Sequence, residues 1–163
     1  MGWAVLKLIA IAEVVAGVIA FVLACTALKI SIHTYQSLIF LLIENAFSFG
    51  VAILMICAGF LMFFGSPRGV RLSIAAQSMQ VLQLTTHPLT YQVIMGYALS
   101  GFVRANGFIG VTAALGDIHA WLSFGNSDGA SFGVNFAALA VTSFLMREAS
   151  RTDAQPALRT ARR

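Results

Sequence analysis

Charge is the scarcest property of this sequence: Asp, Glu, Lys and Arg make up 10 % of its 163 residues, whereas soluble domains carry about a quarter. Three prolines exclude a collagen-like repeat, and two cysteines exclude a small fold held by several disulfide bonds. The hydrophobic fraction is 59 % and the mean hydropathy is +0.87, which excludes disorder and a coiled coil. These values predict a small integral membrane protein.

Motifs that carry catalysis are lacking as well. The sequence has no G-x-G-x-x-G, no P-loop lysine, no G-x-S-x-G and no H-E-x-x-H, so we expect neither an enzyme nor a bound cofactor. Basic residues interleaved with aromatic ones are missing, so no nucleic-acid partner is expected. Four potential ligands fall on one predicted side of the membrane, but their spacing matches no metal-binding pattern: His33, His87, Asp117 and His119. No metal site is therefore expected.

Apolar runs predict four membrane helices. The first two are long enough to cross the hydrocarbon core, which takes about 20 residues. The third and fourth are shorter; Pro88 ends the third, and a basic tail follows the fourth. The predicted helices cover residues 3–28, 38–64, 70–86 and 132–147.

The stretch between the third and fourth helices predicts strands. From Leu89 to Leu99, large apolar side chains alternate with small or polar ones, which indicates a half-buried strand. Asn106-Gly107 is a strong hairpin signal, and Gly116-Asp117 predicts a second turn. Because the opposite face is small, we expect the sheet to curl into a partial barrel or to be approached closely by another backbone.

The predicted fold class is integral membrane α+β: a four-helix transmembrane bundle with a small antiparallel β-meander of three or four strands between helices three and four. The predicted organisation is three membrane helices in residues 1–86, an external meander in 87–131, a fourth membrane helix in 132–149 and a basic cytoplasmic tail in 150–163.

Positive charge predicts the orientation in the membrane. Arg68 and Arg71 follow the second helix, and the C-terminal tail carries a net positive charge. The positive-inside rule places both, and the N-terminus, in the cytoplasm. We expect Arg147 and Arg151 to contact lipid headgroups. The short loops suit a bacterial inner membrane.

Ionisable and polar residues inside the predicted spans are the sharpest functional signals, because such groups are costly in lipid. Glu13 and Glu44 lie on neighbouring antiparallel helices, and we expect them to approach each other. They form either a proton or cation relay or hydrogen-bonded structural carboxyls. On the third helix Ser73, Gln77 and Gln80 share one face. That face lines a pocket, binds a lipid headgroup or makes interhelical hydrogen bonds.

The large face of the first predicted strand carries Tyr91, Val93, Met95 and Tyr97, and we expect it to contact a partner. The first functional hypothesis is a non-catalytic accessory or interaction subunit of a larger membrane complex. The second is a small oligomeric channel or transporter that uses Glu13 and Glu44. The third is a lipid-binding or small-ligand-binding protein. The expected partners are membrane lipids and either other membrane subunits or further copies of the chain.

Overall fold

The computed structural model describes the backbone of residues 2–31, 38–87, 89–123 and 129–160, with most of their side chains. Within these ranges the strands lie between the third and fourth helices, as predicted. The elements are α1 (Gly2–Ser31), α2 (Leu38–Phe63), α3 (Pro67–Val81), β1 (Leu82–Thr86), β2 (Leu89–Arg104), β3 (Ile109–Ser123), β4 (Ser131–Asn135) and α4 (Phe136–Thr160).

Helices α1 and α2 pack as an antiparallel pair through small residues. A Cβ added to Gly17 would lie 2.9 Å from the carbonyl oxygen of Ala52, and one added to Gly59 would lie 2.5 Å from that of Ala10. The two backbones therefore approach closely, which is common where helices associate in lipid. The buried small residues of the α1 face are Ala10, Ala16, Ala20 and Ala24.

Two of the described helices are long and apolar enough to cross a membrane, over Trp3–Lys29 and Asn45–Phe63. Only a third of each segment is buried inside the chain, whereas the core helix of a soluble protein is mostly buried. α3 has 15 residues, and α4 continues into the charged tail. The predicted four-span bundle is therefore not supported, because α3 and α4 lack the length or the composition.

α3 ends earlier than predicted because its chain continues directly into a strand. Leu82 has an extended backbone, with φ −101° and ψ 138°. The segment Leu82–Thr86 pairs with the start of β2 and with β4. These two neighbours supply the backbone hydrogen bonds that a helix would otherwise make internally. The prediction of a helix over 70–86 is thus wrong for its last five residues.

The sheet is antiparallel, with strand order β1-β4-β2-β3 and a further pairing of β1 with β2. Because β4 inserts beside β1 and β2, the prediction of a meander is wrong. β2 pairs with β1 at its start and with β4 at its end, so these three strands close into a small ring. The ring agrees with the predicted partial barrel.

Of the two predicted turns, the one at Asn106-Gly107 is present and the one at Gly116-Asp117 is not. Gly107, at φ +81°, donates its N–H to the carbonyl of Arg104, and Phe108 N donates to Asn106 Oδ1 at 3.0 Å, which confirms the Asn106-Gly107 turn. In contrast, Ile109–Ser123 is one strand paired with β2 along its length. The prediction of a turn at Gly116-Asp117 is wrong, because a long partner strand keeps this segment extended.

A register shift between β2 and β3 coincides with a change in which β2 side chains are buried. The register with β3 shifts between Met95 and Tyr97, and Gly96 adopts φ +85°, which few residues other than glycine tolerate. Val93 and Ile94 are both buried before the shift, whereas after it Ala98 is buried and Leu99 is 45 % exposed. The alternation predicted over 89–99 is therefore interrupted at its middle.

The sheet packs directly along the helices, which the prediction of an external meander did not anticipate. Val93 of β2 lies in one apolar core with residues of α1, α2 and α3: Ala16, Ala20, Val51, Ala52, Met55 and Ala76. A second core joins Ala10 and Met62 to Leu145 of α4. The sheet therefore packs on the end of the hairpin that carries Ala20 and Val51. Helices α3 and α4 pack on the opposite end, which carries Ala10 and Met62.

Asn135 joins the sheet to α4. Its side chain is fully buried. Oδ1 accepts hydrogen bonds from the backbone N–H groups of Ala137 and Ala138, in the first turn of α4, and from Leu99 N in β2. The side chain therefore caps a helix whose first N–H groups have no internal partner, and it fixes the start of α4 against β2.

Candidate ligand-binding pocket

Glu13 lies at the centre of a buried polar network between α1, α3 and β2. It occupies the middle of α1, and only 1 % of its surface is exposed. Ser73 Oγ donates a hydrogen bond to Glu13 Oε1 at 2.5 Å, and Gln77 Nε2 donates to the same oxygen at 2.9 Å. Both donors lie on the α3 face that the spacing of Ser73, Gln77 and Gln80 predicts. α3 thus supplies the polar partners that a buried carboxylate requires.

A second layer of hydrogen bonds fixes the orientation of the Gln77 amide. The Tyr97 hydroxyl donates to Gln77 Oε1 at 2.9 Å, and Gln80 Nε2 donates to the same atom at 3.3 Å. With its oxygen accepting two bonds, the Gln77 amide directs its NH2 group at Glu13. The donors of this network therefore point, directly or through Gln77, towards a single carboxylate.

Tyr97 stays protonated at any physiological pH. Burial, with a smaller contribution from the charge of Glu13, raises the pKa of its hydroxyl to about 12. The phenol therefore acts only as a neutral hydrogen-bond donor to Gln77.

A cavity of about 240 Å³ adjoins this network. Its walls are mainly apolar, and its polar lining comes from Glu13, Gln77 and Tyr97. Leu8 and Ala12, on its α1 side, are exposed, so the cavity opens beside α1. Its remaining lining residues are Leu8, Ile9, Ala12, Met55 and Val141.

One oxygen of the carboxylate is left without a partner. Glu13 Oε2 is buried and accepts no hydrogen bond. Among the described side chains, no cation pairs with Glu13. Lys7 lies nearly two turns earlier on α1, with its ammonium over the rings of Trp3 and Phe63, 5.3 Å from each ring centroid. The site therefore combines a cavity, apolar walls and an unsatisfied acceptor, which are features of a small-ligand pocket.

The helix register separates the two carboxylates that the sequence suggests as a pair. Gly59 packs at the level of Ala10, and Ala52 at the level of Gly17. Glu44 of α2 consequently lies about 20 Å from Glu13 along the helix axis, at 1.5 Å per residue. The Glu44 side chain lies outside the described residues. The expected approach of these carboxylates is wrong, because the hairpin aligns α2 residues near position 58 with Glu13.

The strand face predicted to contact a partner instead packs on the chain's own helices. Val93 is fully buried, Tyr97 bonds to Gln77, and the Tyr91 hydroxyl donates to the carbonyl of Met79 at 2.6 Å. The ring of Tyr91 also meets Phe47 edge to face. The Met95 side chain lies outside the described residues. Helices α1–α3 therefore occupy the surface that the alternation offered to a partner.

The basic residues predicted to contact lipid lie on the outside of α4. Arg147 and Arg151 are both exposed, and Arg151 forms an ion pair with Glu148 at 2.8 Å. Of the potential metal ligands, His33 and the side chains of Asp117 and His119 lie outside the described residues. Over the residues that the structure describes, no three His, Cys, Asp or Glu side chains form a metal-binding group.

Three functional features escaped the sequence-based predictions. Met55 and Val141 are single apolar residues in apolar helices, so no local pattern marks them as cavity walls. Tyr97 was assigned to a partner-facing surface, because the alternation identifies a large apolar face but not what covers it. Neither a protein-family model, nor a curated protein, nor a solved structure matches this chain.

Proposed function

We propose that the protein is an integral membrane protein that binds a small molecule in the pocket beside Glu13. The observation that carries the proposal is the buried Glu13 Oε2, which has no hydrogen-bond partner and belongs to a residue lining a mainly apolar cavity. Leaving such a group unsatisfied costs about 1–3 kcal/mol or more. A ligand or an ordered water that donates to this oxygen would recover that cost.

The α1–α2 hairpin supports the membrane location. Its exposed side chains are mostly large and apolar, including Leu8, Val15 and Val22 on α1 and Ile53 and Phe60 on α2. So many exposed large apolar side chains on two neighbouring helices are unusual for a soluble monomer. We propose that lipid contacts this outer face, while α3 and the sheet cover the inner face.

One end of the hairpin has the composition of a membrane–water interface. Lys7 contacts Trp3 and Phe63, and Arg68 and Arg71 begin α3 directly after α2. Leu145 packs with Met62 and Val70, which brings Arg147 of α4 to the same end. Aromatic residues concentrate at both membrane interfaces, and basic residues concentrate on the cytoplasmic side. We therefore propose that the N-terminus, the α2–α3 turn and the end of α4 share the cytoplasmic side.

Native mass spectrometry of the protein in nanodiscs tests the ligand-binding proposal. We expect a bound small molecule that is lost when Met55→Trp or Val141→Phe fills the cavity. Gly50→Ala is the control, because an added Cβ there meets nothing within 4 Å. A bound mass that both filling variants retain, or no bound mass on the unmodified chain purified from its own membranes, would contradict the proposal.

A second candidate function is an accessory subunit of a membrane complex, and the outer edge of β3 favours it. Among the described strands β3 pairs with β2 alone, and Ile109 and Val111 near its start are 74 % and 70 % exposed. An unpaired strand edge cannot face lipid without losing its backbone hydrogen bonds, and proteins normally cover such edges. We expect Ile109→Lys with Val111→Lys to reduce co-purifying subunits or self-association, measured by native mass spectrometry.

The channel or transporter hypothesis remains a proposal without a geometric argument, because the register separates Glu13 from Glu44. A flux assay in liposomes distinguishes it. Transport that is abolished by Glu13→Gln would favour a transporter, whereas an impermeable protein that retains its ligand would favour a binding protein.

A further inference from the structure

We infer that the ligand of the Glu13 pocket is a compact organic ammonium ion: a primary amine, protonated at neutral pH, on an apolar body about the size of one ring. This inference rests on the proposed binding function and specifies its ligand class.

The polarity of the hydrogen-bond network requires a donor from the ligand. Ser73 and Gln77 both donate to Glu13 Oε1, and Tyr97 and Gln80 hold Gln77 in the orientation that allows it. When Glu13 is ionised, the free Oε2 is an acceptor that no group of the network satisfies. A ligand that offered only acceptors would leave this oxygen unsatisfied and would add repulsion.

Charge favours an ammonium group over a neutral hydroxyl. A buried carboxylate without a cationic partner is among the most costly arrangements in a protein interior. None of the described cations pairs with Glu13, so a cationic ligand supplies the missing partner.

The other walls suit the remainder of such a ligand. Tyr97 places an aromatic ring in the lining, and aromatic faces attract ammonium groups within about 6 Å of the ring centroid. Ile9, Met55 and Val141 offer apolar contact to a hydrocarbon body. A cavity of about 150 Å³ holds benzene, so about 240 Å³ accommodates a ring with an aminomethyl group.

The opening of the cavity agrees with a ligand that partitions into a bilayer. Leu8 is 67 % exposed on α1 and lies next to Lys7, at the end of the hairpin that carries the basic and aromatic residues. A small amine with an apolar body concentrates at this depth, with its ammonium near the headgroups. It then enters between α1 and α4 without crossing open water.

Fluorine NMR on the full-length protein in zwitterionic nanodiscs tests this inference, with para-fluorobenzylamine and para-fluorobenzyl alcohol as the probes. We expect the amine to bind the unmodified protein about tenfold more tightly than the alcohol. Glu13→Gln should remove that preference and leave the two affinities within about threefold. Gly50→Ala should preserve the preference, and empty nanodiscs give the partitioning background.

The cavity-filling variants separate the two levels of the proposal. If the alcohol binds as tightly as the amine and Val141→Phe abolishes both, the pocket binds ligands but the ammonium inference is wrong. If neither probe binds above the background of empty nanodiscs, the inference is overturned, and the bound mass sought by native mass spectrometry decides the binding function. A preference for the amine that survives Glu13→Gln also overturns it. Circular dichroism and the melting temperature of each variant confirm folding.

Discussion

The α1–α2 hairpin and the body, which consists of α3, α4 and the sheet, place apolar and polar side chains in opposite ways. The hairpin is almost entirely apolar, exposes large side chains outward and packs through Gly17, Gly59 and alanines. The body buries polar side chains, among them Gln77, Gln80 and Asn135, in hydrogen-bonded networks. The hairpin has the length and composition of helices that could cross a membrane, and the body satisfies the polar group that the hairpin places inside.

Glu13 is where the two regions depend on each other. It is the only charged residue of α1 between Lys7 and Lys29, and both of its hydrogen bonds come from α3. A carboxylate on an isolated hairpin in lipid would have no partner. The hairpin therefore depends on the body for the partners of Glu13. Because α3 donates to Oε1 but not to Oε2, one oxygen is left unsatisfied beside the pocket.

The largest expected effect tests the junction inside the body. Asn135→Ala removes the acceptor for three backbone N–H groups, so we expect the free energy of unfolding to fall by about 3 kcal/mol. Asn106→Ala is the matched control, because Asn106 accepts only one exposed backbone bond; a loss of about 0.5 kcal/mol is expected there. Equal losses for the two variants, measured by chemical unfolding in detergent, would argue against the buried cap.

The next effect tests close packing in the hairpin. Gly59→Ala places a Cβ 2.5 Å from the carbonyl oxygen of Ala10, so the helices must move apart, at a cost of about 1–3 kcal/mol. Gly50→Ala on the same helix meets no neighbour and should be neutral or stabilising by up to about 1 kcal/mol. Melting temperatures of the two variants make the comparison. A Gly59→Ala protein as stable as Gly50→Ala would show that the helices are farther apart than described.

A smaller effect concerns the bond that orients Gln77. Tyr97→Phe removes one neutral hydrogen bond, so we expect a loss of about 1 kcal/mol in unfolding free energy. The same variant should also weaken amine binding about threefold or more, because Gln77 then loses a bond that directs its NH2 group at Glu13. Tyr91→Phe is the control, since its hydroxyl bonds to the Met79 carbonyl and lies outside the pocket. Equal effects of both variants on amine affinity would contradict the role of Tyr97.

The smallest effect is visible only at high pH. The folded pKa of Tyr97, about 12, is above the ordinary value of 10, so protonated Tyr97 contributes stability that is fully present below pH 10. That contribution is lost as the pH rises towards 12, because the unfolded chain releases the proton first. The phenolate absorbance of the unmodified protein minus that of Tyr97→Phe should rise near pH 12. A rise centred on pH 10 would place Tyr97 in contact with water.

The sequence predicts local features well and long-range pairing poorly. Composition predicts the two long apolar helices and the isolated charge of Glu13, and turn chemistry predicts the β2–β3 hairpin. Residue spacing predicts the polar α3 face of Ser73, Gln77 and Gln80. The segment Leu82–Thr86 reads as the end of a helix because only its two distant strand neighbours make it extended. In the same way, β3 continues through Gly116 because β2 pairs with it on both sides of that glycine.

Only part of the site is predictable, again because local spacing does not show which distant residues meet. The spacing of Ser73, Gln77 and Gln80 identifies a polar face, but no local pattern shows that it meets Glu13 sixty residues earlier. Nor does helix spacing fix the register that separates Glu13 from Glu44, since this depends on which glycines and alanines meet across the hairpin. Tyr97 lies on the large face that the alternation predicts, but no local pattern shows that α3 and Glu13 lie against that face.

Spin labelling of Cys57 tests the central claim, that the outer face of the hairpin lies in lipid. Cys57 is exposed on α2 and Cys25 on α1, and both are free thiols. Cys57 lies six residues before the Phe63 end of the candidate span, about 9 Å into the membrane. With Cys25→Ser in liposomes, the Cys57 label should collide readily with dissolved oxygen and poorly with a water-soluble nickel chelate. A label at Ser150→Cys, in a Cys25→Ser and Cys57→Ser background, reports an exposed position outside the spans. Nickel accessibility at Cys57 equal to that at position 150 would contradict the claim.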